Sequence, residues 1–385
     1  MLAARCSKSD AGESETIAQQ AMDLFEKDSR NILTQYVAAT AYERAGEHYE
    51  AAMVLRDLLE IIPNHKALYI DVCRNFRMSD RFKEVLKYAG VAENKSIKSP
   101  ALLLEGGLAF EALGQRDKAR RVFTALLDEN PNQTEALLFF AREHNRKGEY
   151  KKGMKLADRI IALDNENGYG YFERAKALAM TGQKDAAIAA LEKSVAFIPK
   201  EASVRRLLAD LLFEDKAYEN AARHYNQIIS LNPKYYAGHI KTAEAWQNAG
   251  NIKEAAAVLA RTERLFADSI DLQKRLGLLQ NKLGNASNAA LHLERYTKKG
   301  TPDAEVYMTL GDIYTASKKY DKAFYHYNHA MPLMKDKKPC RFALAKMHQC
   351  RYPAMHILPF PYKHSDSSRY NWGFKKITQT NNGIG

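Results

Sequence analysis

Apolar, small and polar residues recur along this chain with a period of 34, far longer than any one helix or strand. Nine units in unbroken phase begin at Ile32, Lys66, Pro100, Thr134, Gly168, Ala202, Tyr236, Ile270 and Ala304, and the last ends at Lys337. Within a unit, large or apolar side chains favour positions 4, 7 and 11 around a small residue at 8, as in Tyr307, Leu310, Gly311 and Tyr314. That spacing is one stripe of a helix with 3.6 residues per turn, so a first helix is predicted across positions 4 to 11. The small residue at 8 reads Ala39, Cys73, Gly107, Ala141, Ala175, Ala209, Ala243, Gly277 and Gly311; twelve residues on, a second series reads Ala51, Val85, Ala119, Gly153, Ala187, Ala221, Ala255, Ala289 and Ala323. With large residues at 24 and mostly apolar ones at 27 (Ala119, Phe123, Leu126; Ala221, Tyr225, Ile228), the second series predicts a second helix. Glycine fills position 15 in six units, where a residue that accepts positive φ ends a helix with little strain. Proline at position 32 in four units (Pro63, Pro131, Pro199, Pro233) closes the second helix.

A chain written as one unit nine times predicts an all-α solenoid, in which each helix pair packs on its neighbours and no large central core is needed. Helices this short are marginal alone, so stacking must hold them. Small residues at 8 and 20 let the helix axes approach closely. Ala221→Leu is therefore expected to overpack the contact at a cost of roughly 1 to 3 kcal/mol, read as a lowered melting temperature; an unchanged curve would refute the packing role.

The pattern resembles the tetratricopeptide repeat over residues 32–337, most closely at Tyr307, Leu310, Gly311, Tyr314, Tyr320, Ala323, Tyr327 and Ala330, and least in the second unit at Cys73, Phe76, Phe82 and Val85. The resemblance implies antiparallel helix pairs wound into a right-handed superhelix, with first helices lining a concave groove that binds peptides or protein surfaces. The RNA-reading pentatricopeptide relatives have a different period, and the 34-residue phase holds here without an insertion. Members that hold a chaperone's terminal carboxylate use lysine at position 5 with asparagine at 9. No unit here has both, since Lys274 is followed by Leu278, so a carboxylate-clamp ligand is not expected.

Positions 2, 5, 9 and 12 lie on a different side of the first helix from the packing stripe and are expected to line the groove. Early and middle units supply Arg74, Arg77, Arg142, Lys176 and Arg206, opposed by Glu43, Glu111 and Glu135. Later ones supply Asp210, Glu244, Asp271, Glu305 and Asp312 against Lys274, while Tyr36, Tyr169, Phe172 and Phe213 add aromatic surface. The expected site is a polarised groove that orients an extended protein partner; the plainer reading is a solvated face of mixed charge.

Charge changes this picture little. Of the net +12, +8 lies in residues 335–385, with ten Lys or Arg against Asp336 and Asp366, so the array is nearly balanced and the tail is basic. Acidic surfaces, nucleic acid or an acidic membrane surface would be reached through that tail, and an RNA-binding repeat protein is the alternative function. Four scattered cysteines make no disulfide framework, and Cys340, His348, Cys350 and His356 match no compact zinc spacing, so no metal is expected. With no phosphate loop, HExxH pair, nucleophile elbow or usable carboxylate pair, neither catalysis nor a cofactor is expected. The repeat region of a larger enzyme is a further alternative.

Residues 1–13 are polar and expected to be disordered, and 14–31 carry a half repeat in which Ile17, Ala21 and Leu24 would cap the array. Cys6 with its polar follow-on resembles the lipidated cysteine of bacterial lipoproteins, yet Arg5 stands where a small residue is needed and no apolar segment precedes Leu2. A cytoplasmic protein is expected, with an envelope lipoprotein as the alternative if the natural start lies upstream. In 338–385, Arg341 to Gln349 are expected to form one capping helix through Phe342, Leu344 and Met347, followed by a basic aromatic tail with Pro353, Pro359 and Pro361. The expected function is that of a non-catalytic protein-interaction scaffold.

Overall fold

A computed structural model describes residues 31–351, which hold nineteen α-helices, a 3₁₀ turn at Met331–Leu333 and no strand. The predicted half repeat and the aromatic tail beyond Arg351 lie outside the described residues. The first helices are α1 (Ile32–Ala45), α3 (Lys66–Met78), α5 (Pro100–Ala112), α7 (Thr134–Arg146), α9 (Gly168–Met180), α11 (Ala202–Glu214), α13 (Tyr236–Asn248), α15 (Ile270–Lys282) and α17 (Ala304–Ala316). The second helices are α2 (His48–Ile61), α4 (Phe82–Asn94), α6 (Arg116–Glu129), α8 (Tyr150–Leu163), α10 (Lys184–Phe197), α12 (Tyr218–Leu231), α14 (Ile252–Leu265), α16 (Ala286–Lys299) and α18 (Tyr320–Ala330). A last helix, α19, spans Lys338–Arg351.

First helices begin at position 1 rather than 4 because the residue before them is often a cap. Asn31, His65, Asn167, Ser269 and Asp303 each accept a hydrogen bond from a backbone N–H of the first turn they precede. The turns within the units share one geometry. In all nine, the N–H of residue 16 donates to the carbonyl of residue 11, from Glu47 to Tyr42 through Lys319 to Tyr314, at 2.8–3.0 Å. Residue 15 is left-handed throughout: the six glycines have φ of +70° to +83°, and Asp80, Lys216 and Lys318 take φ of 57°, 62° and 57° without glycine's freedom. The turn is thus set by the flanking helices, and glycine only lowers its strain.

The chain forms two compact units divided between Val204 and Arg205, inside α11. In the first, the core is a row of local clusters: Leu55, Tyr69, Val72 and Phe76 around α2 to α4, then Phe123 against Phe139, then Leu137 and Ile160. In the second, Ile240, Leu259, Leu272 and Leu276 form one cluster, and Leu293, Leu310, Tyr314 and Tyr327 the next. Each second helix of a cluster packs on the first helix that follows it, as each solenoid unit must. First helices also touch one another along α3–α5, α7–α9, α15–α17 and α17–α19, which places them on the inner face of each compact unit.

All eighteen residues of the two small-residue series are buried. Their neighbours explain the size limit: a Cβ on Gly107 would sit 2.8 Å from the Phe123 ring, and one on Gly277 2.5 Å from Leu293. Both obstacles are position 24 of the same unit, so position 8 is small where 24 is large.

The phase does not stop at Lys337. Helix α19 occupies positions 1 to 14 of a tenth unit, as a first helix should. It packs on α18 through Cys340, Leu344 and Met347, each at most 1% exposed. Phe342, expected in that contact, is instead 72% exposed, because the buried stripe runs through 340, 344 and 347 and puts 342 on the opposite side.

Candidate functional site

The charges expected at positions 2, 5, 9 and 12 are mostly paired within each compact unit, chiefly with residues at position 6. In the first unit, Arg74 bonds Asp71 at 3.2 Å and Arg77 bonds Glu105 at 2.5 Å. Arg142 reaches Glu111 at 3.2 Å and Glu173 at 3.6 Å, and its guanidinium stands 5.8 Å from the centre of the Tyr169 ring. Lys176 bonds Glu173 at 2.5 Å and lies 4.7 Å from the Phe172 ring centre. Glu173 is only 1% exposed, and Asn145 also donates to it at 3.0 Å, so these cations serve first to neutralise a buried carboxylate. Tyr36 is 46% exposed on α1.

In the second unit, Arg206 is exposed and Phe213 lies edge-on to Tyr218 at 5.2 Å. Asp210 accepts from the Tyr225 hydroxyl at 2.5 Å and from Lys241. Glu244 and Asp271 share Arg275, at 2.6 and 2.8 Å. Asp312 accepts from the Tyr327 hydroxyl at 2.8 Å, a position 9 to position 24 bond repeated from Asp210 and Tyr225. Burial and then the Asp210 carboxylate push the Tyr225 phenol well above its ordinary range.

Position 6 accounts for what the sequence pattern missed. It lies one turn before position 9 and shares its face, so Glu173 answers Arg142, Lys241 answers Asp210 and Arg275 answers Glu244 across neighbouring units. The early-basic, late-acidic asymmetry of positions 2, 5, 9 and 12 is therefore offset locally in both compact units. The signal was present as opposite charges 31 residues apart.

A second acid, Glu143, is 6% exposed and ringed by Arg120 at 2.9 Å, Arg146 at 2.6 Å and Arg116 at 3.9 Å. Although burial pulls upward, bonds from Arg120 and Arg146 hold this carboxyl below the usual range. Cys340 is buried with its Sγ 3.1 Å from the Tyr327 carbonyl oxygen, which is a packing role, and His356 lies outside the described residues.

One cavity opens on this face. About 420 Å³ in volume, it lies among α13, α15 and α17 of the second unit, over a floor of Ala243, Leu259, Leu278 and Leu279. Its walls bring together the expected Glu244 and Asp271 with Lys274, Asn281 and Glu305, which are positions 9, 2, 5, 12 and 2 of three consecutive units. Lys274 is held by Asp303 at 2.5 Å, whereas Glu305 and Lys282 are exposed and make no ion pair among the described residues. The cavity thus has an apolar floor and charged walls, in which Arg275 is shared by Glu244 and Asp271.

Models of the tetratricopeptide repeat match residues 104–168 and 304–331, and a model of the TT21 fifth ARM repeats domain matches 201–304. Together with nine in-phase helix pairs, these matches make the chain a member of the tetratricopeptide-repeat proteins, an all-α class of protein-interaction scaffolds that is generally non-catalytic. Among curated proteins it is similar to anaphase-promoting complex subunit 3 of Schizosaccharomyces pombe, 22% identical over 204 residues, 53% of this chain and 30% of the relative. The chain thus spans under a third of that relative's length. Among solved structures, a tetratricopeptide repeat protein from Parabacteroides merdae is 16% identical with a TM-score of 0.37, covering 65% of this chain and 98% of that one. YrrB, described as a TPR protein with an unusual peptide-binding site, is 14% identical with a TM-score of 0.40, covering 50% and 97%. No helix among the described residues is long and apolar enough to cross a membrane.

Proposed function

We propose that the protein is an assembly scaffold that takes a peptide segment of a protein partner into the cavity among α13, α15 and α17. The observation that carries this reading is the cavity itself, whose walls are built from the groove positions of three successive units over an apolar floor. An apolar side chain of the partner fills the floor formed by Leu259, Leu278 and Leu279, and the partner's backbone meets the amides of Gln247 and Asn281. Similarity to a named subunit of the anaphase-promoting complex supports membership of a multi-protein assembly.

The test is co-purification from the native host with the wild type and with Leu278→Glu plus Glu305→Lys. Leu278 is half-buried against the cluster of Leu293 and Leu310 while Glu305 is exposed, so Glu305→Lys alone and the melting curve of the double variant separate lost binding from lost stability. The double variant should lose the co-purifying partner by about tenfold or more, the scale of one central contact. Undiminished recovery with the variant would overturn the cavity as the binding site.

A further inference from the structure

Among the cations of the first compact unit, some are engaged by carboxylates, Arg120 of α6 and Lys152 of α8 included, and others are not. On the inner face, Arg77, Arg142, Arg146 and Lys176 are all engaged by carboxylates. On the second helices α4, α6 and α8, by contrast, Lys83, Lys87, Arg121, Lys151 and Lys155 are exposed and make no ion pair among the described residues. These five are positions 18 and 22 of units two to four, one turn apart on one side of each helix, so the 34-residue phase aligns them from unit to unit. Elsewhere position 22 reads Met53, Ala189, Arg223, Ala257, Leu291 and Tyr325, so the run of three cations belongs to this stretch alone.

Lys83 with Lys87, and Lys151 with Lys155, are like charges four residues apart, an arrangement that weakens a helix. The acids nearest along these helices form no ion pair with the row: Asp117 is held by Arg120 and Asp158 by Arg174, and Glu84 pairs with neither lysine.

We infer that this outer row is a docking surface for an acidic segment of a partner protein, separate from the inner-face cavity. Charge complementarity defines the occupant, and the chain's own tail is excluded because residues 335–385 carry ten Lys or Arg against two Asp. Asp117, exposed at position 18 of the middle unit and held by Arg120 at 2.9 Å, interrupts the row. A peptide can leave a gap or place a lysine opposite Asp117, whereas a phosphate backbone or an anionic bilayer presents its charge without interruption.

The test uses the full chain and three probes: a 20-residue glutamate-rich peptide, a 20-nucleotide single-stranded RNA and phosphatidylserine vesicles, each titrated at low and high salt. The peptide should bind the wild type in a salt-dependent way, and Arg121→Glu plus Lys155→Glu should weaken it by about tenfold or more. Lys298→Glu plus Lys299→Glu, the same change of charge in the second compact unit, should leave peptide affinity within about twofold if the site rather than bulk charge decides. Equal weakening by both variants, no measurable peptide binding, or tighter row-dependent binding of RNA or vesicles would each overturn the inference.

Discussion

Phe123→Ala is expected to lower the unfolding free energy by about 3 to 5 kcal/mol. Phe123 is fully buried, its ring centre 4.8 Å from that of Phe139 in the next unit, and it closes on the face of Gly107. One side chain therefore holds a helix pair together and joins it to its neighbour. Gly107→Ala should cost about 1 to 3 kcal/mol by driving a methyl group into that ring. Because the two residues share one contact, Gly107→Ala with Phe123→Leu should cost less than the two single changes added together. Denaturant titration of the four proteins measures this cycle, and strict additivity would dismiss the pairing of positions 8 and 24. Hydrogen exchange on Phe123→Ala should show protection lost first in α5 to α8, since coupling in a repeat array runs between nearest neighbours.

Acid is expected to weaken the last units through His326. The imidazole is 7% exposed and lies nearly parallel to the Tyr314 ring, 5.5 Å between centres. Burial pushes its pKa down to about 4; Glu294 pulls upward, while His329 and Lys322 add to the fall. A base whose pKa is depressed on folding contributes stability that is present above the unfolded value near 6.5 and is lost as the pH falls from there to 4. The loss is about 3 kcal/mol across that window. His326→Phe keeps a ring on Tyr314 and removes the titration, so its stability should change less than the wild type's between pH 7 and pH 4. Parallel pH profiles would show that His326 is not the group responsible. His224 and His292 shift in the same direction through burial and add to the acid sensitivity of the second compact unit. Carboxylates held low by their partners, such as Glu294 and Asp303, matter only at more acid pH, below their unfolded values.

The legible part of this protein is what one unit repeats. Small residues at 8 and 20, the large residue at 24 and the turn at 15 were each visible because a steric demand acts within a single helix pair and recurs nine times. Less legible are the places where residue type and local conformation part. Asp80, Lys216 and Lys318 adopt the glycine conformation without being glycine, because the flanking helices and the bond from residue 16 to residue 11 impose it. Phe342 faces outward although its hydrophobicity suggested otherwise.

The amino-acid sequence by itself determined the helix pair, its phase and its small-residue contacts, since these follow from the 3.6-residue period and from the volume available between two adjacent helices. Only the tertiary structure decided what the remaining face does. Whether Arg142, Asp210 or Glu244 awaits a partner or serves its neighbour depends on which residue of the next unit is brought alongside. Stacking sets that register at 31 residues rather than 34, because the next unit's position 6, not its position 9, comes opposite. The cavity among α13, α15 and α17 and the unpaired outer cations of α4, α6 and α8 are likewise features of the stacked structure.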